Sequence, residues 1–457
     1  MIARAGPLRC IPVRCSEDSM PINWIDLMGR KTDMASRRSQ SKWIVIALLT
    51  LITTPRFANA EMREISRAAL IDKANAFWVA QLVGNYLGFP FENLYQHKPI
   101  PFFVDRYYSY LDDESIRLNR HELRGHVPVL LRTFDGAFSD DDTDIEFVTL
   151  HAVERHGLGL TYPQIADHWR EHINRRIWVA NRSARDLMET RMNPPETGMK
   201  INNPNWFQID PQLVNEIWST FYPGMIDQAA KRAEWGARIT NDDWGVHPTI
   251  MYAVLLSGGY FTNDIPRLID LALQRIPESS PFHQGVRDVM QWHHDAPDDW
   301  RATRQNIHQK YYRYKTDDYE APFSKYSSLP NGLCGIMALL YGNGDFLDTV
   351  GIAVSAGYDC DNQAATCAAI IAVMNGSKCI PDQLTKTVVP KRTWETPFND
   401  VYLNYTRDGL PIMNHISDIA ERIVDVSELA IQANGGEVLS REGGTIYRVQ
   451  TTGIHLQ

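Results

Sequence analysis

From about Glu61 onward, apolar residues return every three to four positions in one segment after another: 64–88, 144–156, 211–235, 247–258, 264–275, 333–342, 345–356, 362–374 and 414–432. That period lines apolar side chains along one face of a helix, so each segment predicts a helix. Strict two-residue alternation is scarce, and Gly and Pro punctuate the joins at Gly88-Phe89-Pro90, Asn193-Pro194-Pro195, Gly258-Gly259, Pro277, Gly342-Asn343-Gly344 and Gly376. No fixed repeat and no break in composition divides residues 61–434, which predicts one large all-α domain. The tail 435–457 is expected to add a short hairpin. Residues 191–210 lose the helical period and carry Trp206 and Phe207, as a lid or a substrate wall would.

The first sixty residues do not belong to this pattern. Arg37, Arg38 and Lys42 precede an apolar run from Trp43 to Thr54, and Ala58-Asn59-Ala60 supplies the small residues a signal peptidase reads. The run falls short of the roughly 18–20 residues a membrane-spanning helix needs, so it predicts a cleaved secretory signal. Residues 1–33 have mixed charges and no apolar core, which points to Met34 as the working start and to cleavage after Ala60. Ser36-Arg37-Arg38 hints at a twin-arginine signal, but Gln40 and Ser41 stand where apolar residues are expected. The mature chain is expected to be secreted or periplasmic, with no membrane segment.

At 457 residues, 44% hydrophobic and 22% charged, the chain can bury a large core. A net charge of −9, with basic residues interspersed among acidic ones, argues against binding a nucleic-acid backbone. Cys10 and Cys15 would leave with the signal. Cys334, Cys360, Cys367 and Cys379 form no zinc pattern and suit buried thiols as well as disulfides.

The sharpest chemical signal is Ser139-Asp140-Asp141-Asp142-Thr143-Asp144, where four carboxylates in five positions repel one another unless a positive charge sits among them. Ser139 with Asp142 also fits a helix capping box, but capping uses one or two of these acids and leaves the others unexplained. A calcium-loop reading fails, because Ile145 replaces the required Gly and His151 the terminal Glu. A second knot, Gly357-Tyr358-Asp359-Cys360-Asp361-Asn362-Gln363, opens an alanine-rich helix. Asp361 could cap that helix, and Asp359 is then surplus. The small residues Ala364-Ala365 would let another backbone approach closely. A third stretch, Gly84-Asn85-Tyr86-Leu87-Gly88-Phe89-Pro90-Phe91-Glu92, reads by itself as a glycine-ended helix with an exposed Glu.

In order and separation these three stretches resemble the motifs of the ADP-ribosylglycohydrolase family, which includes the dinitrogenase-reductase-activating glycohydrolases. The resemblance covers roughly 62–430 and implies a single large orthogonal helical bundle with two Mg²⁺ (or Mn²⁺) ions at the base of a cleft. It implies Asp141, Asp142, Asp359 and Asp361 as metal ligands, with Asp140 and Asn362 at positions usually held by hydroxyls. Glu92 would be a gate, ligand or base, and Glu92, Asp141 and Asp361 the catalytic set. The implied partner is ADP-ribose or an ADP-ribosylated protein or small molecule, cleaved at C1″ of the ribose. This chain departs from the pattern at Asn85, where the family has Asp, and at Asp140, Asn241 and Asn362; Asn202-Asn203-Pro204-Asn205-Trp206-Phe207 replaces a Gly-Asn-Gly loop. Trp206, Phe207, Trp244 and Tyr358 are candidates to stack on adenine, although aromatics in helical proteins are more often core. His247, His293 and His294 read first as ordinary surface or helix-end histidines.

Two rival functions follow from the departures and from the metal knots. One is a non-catalytic ADP-ribose-binding or structural, crystallin-like protein on the same fold. The other keeps the metal centre and changes the substrate to a phosphorylated nucleotide, for which no phosphate-cradling Gly-rich loop is present. Four to five carboxylates kept in the two knots favour the hydrolase.

Overall fold

A computed structural model of the chain describes residues 61–452 except 110–111, 113–117, 119–125 and 390. The signal segment, the start at Met34 and the cleavage after Ala60 lie outside the described residues. The domain is mostly helical, and helix Arg67–Gly88 runs through its middle with every residue from Ala76 to Gly88 buried. Polar side-chain groups in that stretch are confined to the Trp78 indole N–H, Gln81, Asn85 and the Tyr86 hydroxyl, and a helix apolar on nearly all sides belongs inside a core. Ser66 starts it by accepting a hydrogen bond from the Ala69 amide at 3.1 Å.

Helix Arg67–Gly88 packs along helix Cys360–Asn375, which is buried from Cys360 to Met374. Glycine makes the crossing close. A Cβ on Gly84 would lie 2.4 Å from Ala365 Cα, and one on Gly88 would lie 2.3 Å from Asp361 Cα. The small residues of 364–365 therefore meet Gly84, and Gly88 sets the second acidic knot, at Asp361, against the end of the central helix.

The periodic segments form helices at Thr143–His156, His247–Gly259, Ile265–Leu273, Ser328–Gly342, Phe346–Ser355 and Ile416–Ala433. The segment 211–235 is instead three helices, Pro211–Val214, Ile217–Phe221 and Ile226–Ala237. Pro223 lacks an amide hydrogen and Gly224 sits at φ 71°, so the last two cannot be continuous. Residues 61–66, the first of which precede the expected helix at 64, form a strand that pairs antiparallel with Gly444–Thr451. Gly444–Thr451 also pairs with Glu437–Arg441, so the expected C-terminal hairpin is there as part of a three-stranded sheet.

Helices Val127–Phe134, Tyr162–His172, Val179–Glu189, Pro281–Asp295 and Trp300–Tyr311 have weaker sequence signals. Trp300–Tyr311 shows why: its inward face is Thr303, Arg304, Ile307 and Tyr311, a helical period written largely in polar residues. A second small sheet sets Ala137–Phe138 parallel to Val401–Leu403, which pairs with Met413–His415. No helix among the described residues is long and apolar enough to cross a membrane. Cys334, Cys360, Cys367 and Cys379 are free thiols.

Candidate active site

The central helix reaches both acidic knots. Tyr86 donates its hydroxyl to the Phe138 carbonyl at 2.6 Å and stacks on the Phe138 ring at 4.6 Å, holding the strand that leads into the first knot. Ser139 is held from the other side, its amide donating to Leu403 O at 2.9 Å and its hydroxyl lying 3.1 Å from that of Thr406. Past Gly88 the chain turns through Phe91 to Glu92, whose amide donates to Gly88 O at 3.0 Å. The Asn93 amide then donates to Tyr358 O at 2.8 Å, and the Tyr358 amide to Tyr95 O at 3.0 Å. These two bonds fasten the Glu92 loop to the loop that carries Asp359.

The result is one cavity of about 610 Å³ lined by Glu92, Asp141, Asp142, Asp210, Asp359 and Asp361, with Lys325 the only basic side chain among its described lining residues. Carboxylate oxygens of Glu92, Asp359 and Asp361 lie within 4.8 Å of one another. Glu92 is buried, not the exposed residue its local sequence suggests. Asn362 joins the knots, its amide lying 3.4 Å from Asp142 Oδ1 and its own oxygen 3.4 Å from the Gln212 amide. Neither Asp359 nor Asp361 caps the helix it begins, since that helix has no side-chain cap.

At an effective dielectric of about 20, two unit charges 4.8 Å apart repel by about 3.5 kcal/mol. Burial, followed by the charges of Asp141, Asp140, Asp361 and Asp359, drives Asp142 well above the usual carboxylate range. Asp361 Oδ1 is buried with no hydrogen-bond partner. An all-oxygen donor set, converging charge and an orphaned carboxylate oxygen fit a hard divalent cation. They do not fit a soft metal, which would want sulfur or imidazole.

Asp140 is placed differently from the other acids. Its Oδ1 accepts from the amides of Asp142 (2.8 Å) and Thr143 (2.7 Å), and its Oδ2 accepts from the Asn85 side chain at 2.6 Å. Asp140, rather than Ser139 with Asp142, therefore caps helix Thr143–His156, and it is not among the cavity-lining residues. Burial pushes it up to about 7.

The aromatic residues expected at the substrate end do not reach the cavity. Tyr358 is fully buried, with the Arg304 guanidinium 4.0 Å above its ring and its hydroxyl 2.6 Å from His308 Nδ1. Trp206 and Phe207 pack with Trp244, at ring separations of 5.1 and 6.2 Å, because the indole of Trp244 needs an apolar cover. His247 hydrogen-bonds Ser280 at 2.7 Å and His293 packs on the edge of Tyr341; neither lines the cavity. Asn241 donates to Gln208 O at 2.6 Å, a structural bond.

Other residues take those places. Phe207 O accepts from the Ser328 amide and the Ile209 amide donates to Tyr326 O, a pairing that brings Lys325 and Tyr326 beside Ile209 and Asp210. Trp178 is half exposed at the rim, and Asp210 accepts from the Asn181 amide at 2.9 Å with its Oδ2 left without a partner. Burial pushes Asp210 up to about 7. The one sequence hint to these residues is that 191–210 loses helical periodicity. Only the end of that stretch, Ile209-Asp210, forms cavity wall.

A family model described as ADP-ribosylglycohydrolase matches residues 66–410. No curated protein matches the chain in sequence. A solved structure described as an ADP-ribosylglycohydrolase-related protein complex superposes with a TM-score of 0.46 at 15% identity, covering 79% of this chain and 99% of that one.

Proposed function

Because the chain belongs to the ADP-ribosylglycohydrolase family, a family of glycohydrolases, we propose that its acidic cavity hydrolyses the C1″ glycosidic bond of an ADP-ribosyl adduct. The observation that carries this reading is the meeting of Glu92, Asp359 and Asp361 within 4.8 Å, in a cavity that Asp141 and Asp142 also line. Asp141, Asp142, Asp359, Asp361 and Glu92 would hold two Mg²⁺ or Mn²⁺ ions, with Asn362 a weaker donor because its oxygen faces Gln212. Such ions supply Lewis acidity and lower the pKa of nearby water.

The side chains divide the remaining work. Bond cleavage builds oxocarbenium-like positive charge at C1″, which a ring of carboxylates favours electrostatically. Glu92 would accept a proton from the attacking water; the hydroxide adds to C1″ as the glycosidic bond breaks, and the proton taken up by Glu92 passes to the leaving group. Asp210, whose Oδ2 lacks a partner, accepts from a substrate hydroxyl. Lys325 supplies positive charge for the diphosphate, and Trp178 and Tyr326 offer the adenine an aromatic wall.

The test is release of ADP-ribose, followed by mass spectrometry, from Arg-, Ser- and Asn-linked adducts and ADP-ribosylated small molecules with Mg²⁺ or Mn²⁺. Activity lost with a chelator and in Asp359→Asn is the expected result. Absence of both release and binding of ADP-ribose across that panel would overturn the proposal. Tight ADP-ribose binding without turnover would favour the non-catalytic alternative, which draws support from Asp140 being used as a helix cap. The export signal is part of the same proposal: the N-terminus of the protein recovered from the periplasm or medium should be Glu61.

A further inference from the structure

Away from the acidic cavity, three imidazoles meet where helix Tyr162–His172 packs on helix Thr143–His156. His168 and His172 are one turn apart on the first helix and so share a face; His151 comes from the second. The three ring centroids form a triangle with all sides 5.5 Å. One nitrogen from each ring lies within 4.8 Å of those from the other two. His168 is 3% exposed and His172 2%, while His151 is half-buried.

Each buried ring has one nitrogen held and one open. His172 Nδ1 lies 2.7 Å from Asp408 O, and a carbonyl can only accept, so that nitrogen carries the proton and Nε2 keeps its lone pair. Nε2 has no hydrogen-bond partner; the nearest acid, Glu171, is 3.8 Å away. His168 Nε2 sits 3.2 Å from His156 Nε2, which leaves His168 Nδ1 buried and without a partner. For His172, one ring nitrogen fixed by a carbonyl and the other bare is how metal-ligating histidines are oriented, and in His168 the His156 ring takes the carbonyl's place. Had these been ordinary core histidines, protein donors or acceptors would meet both nitrogens.

The geometry points to a second metal site of different chemistry: a late first-row divalent transition-metal ion, Zn²⁺ foremost, bound by His151, His168 and His172. Imidazole nitrogens favour such ions over Mg²⁺. With Zn–N bonds of about 2.0–2.1 Å, tetrahedral ligands stand roughly 3.3 Å apart, so the rings need close by no more than about 1.5 Å. None of the three histidines lines the acidic cavity, and the site does not depend on the hydrolase proposal. The ion would tie two helices together. The helix of His151 begins at Thr143, just after Asp141-Asp142, and His172 holds Asp408, whose neighbour Arg407 forms a fully buried ion pair with Asp144.

The full-length protein, stripped with chelator and then equilibrated with Zn²⁺ in a large excess of Mg²⁺, tests this by elemental analysis. About one zinc per chain should remain, and Co²⁺ in its place should show the intense visible bands of a low-coordinate, nitrogen-rich site. His151→Gln with His172→Gln should weaken Zn²⁺ binding roughly tenfold or more, whereas Asp359→Asn with Asp361→Asn should leave it unchanged. No zinc retained, equal uptake in the histidine variant, or loss in the aspartate variant would each overturn the site. If the histidine variant does not fold by circular dichroism, the Co²⁺ spectrum of the unaltered protein decides: a weak, octahedral, oxygen-type spectrum overturns it as well.

Discussion

At the scale of single residues, two departures from the family pattern explain each other. Asn85 stands where the motif resemblance implies an Asp and Asp140 where it implies a hydroxyl, and the two side chains meet at 2.6 Å with the amide donating. An Asp at both positions would press two buried carboxylates together. Asn85→Asp should therefore destabilise the fold by about 3–5 kcal/mol in denaturant unfolding. Adding Asp140→Thr should recover most of that loss; failure to do so would mean the pair is not coupled. Asp361 poses the opposite case, since its orphaned Oδ1 and neighbouring acids make it costly without a cation. Asp361→Asn should raise the stability of the metal-free protein at pH 8 by about 1–3 kcal/mol while abolishing its stabilisation by Mg²⁺. Unfolding curves with and without Mg²⁺ check both halves.

At the scale of elements, the site depends on how closely two helices approach. Gly84 and Gly88 face Ala365 and Asp361 with no room for a methyl group. Gly84→Ala and Gly88→Ala should each destabilise by about 1–3 kcal/mol, the usual cost of overpacking. Gly88→Ala should also weaken Mg²⁺ binding, because the methyl would push directly on the Asp361 backbone, whereas Gly84→Ala acts one turn away. Equal Mg²⁺ affinity in the two variants, measured by calorimetry, would argue against helix contact as the device that positions Asp361. Sequence reading found both helices and their small faces. It could not find Lys325 and Tyr326 as cavity residues, because a pairing between residues 207–209 and 326–328 brings them there.

At the scale of the whole molecule, so many buried acids give the metal-free protein an unusual pH dependence. Burial pushes Asp140 and Asp210 up to about 7 and Glu216 up to about 8. A carboxylate raised in the folded state stabilises the fold below its unfolded value near 4, and that contribution is lost as pH rises through the folded value. The metal-free protein should therefore be more stable at pH 5 than at pH 8, each of the three groups contributing about 3 kcal/mol. Saturating Mg²⁺ should offset part of this slope, because it binds the cavity carboxylates in their ionised form and so stabilises the protein more at pH 8 than at pH 5. A thermal scan across pH with chelator or Mg²⁺ measures it, and a metal-free stability that rises from pH 5 to pH 8 would contradict the assigned burial.

The residue types and their order along the chain determined the helical class, the C-terminal hairpin and the three motifs that meet at the cavity, because helical period and clustered like charge are local properties. Tertiary structure alone decided how each side chain is used. Asp140 became a cap through two amides and Asn85, Tyr358 was enclosed under Arg304, and His151 was brought to His168 and His172 by the packing of two helices. Whether a carboxylate or a ring faces a cavity, a backbone amide or another ring depends on contacts between segments far apart in the chain, and these are absent from any local pattern.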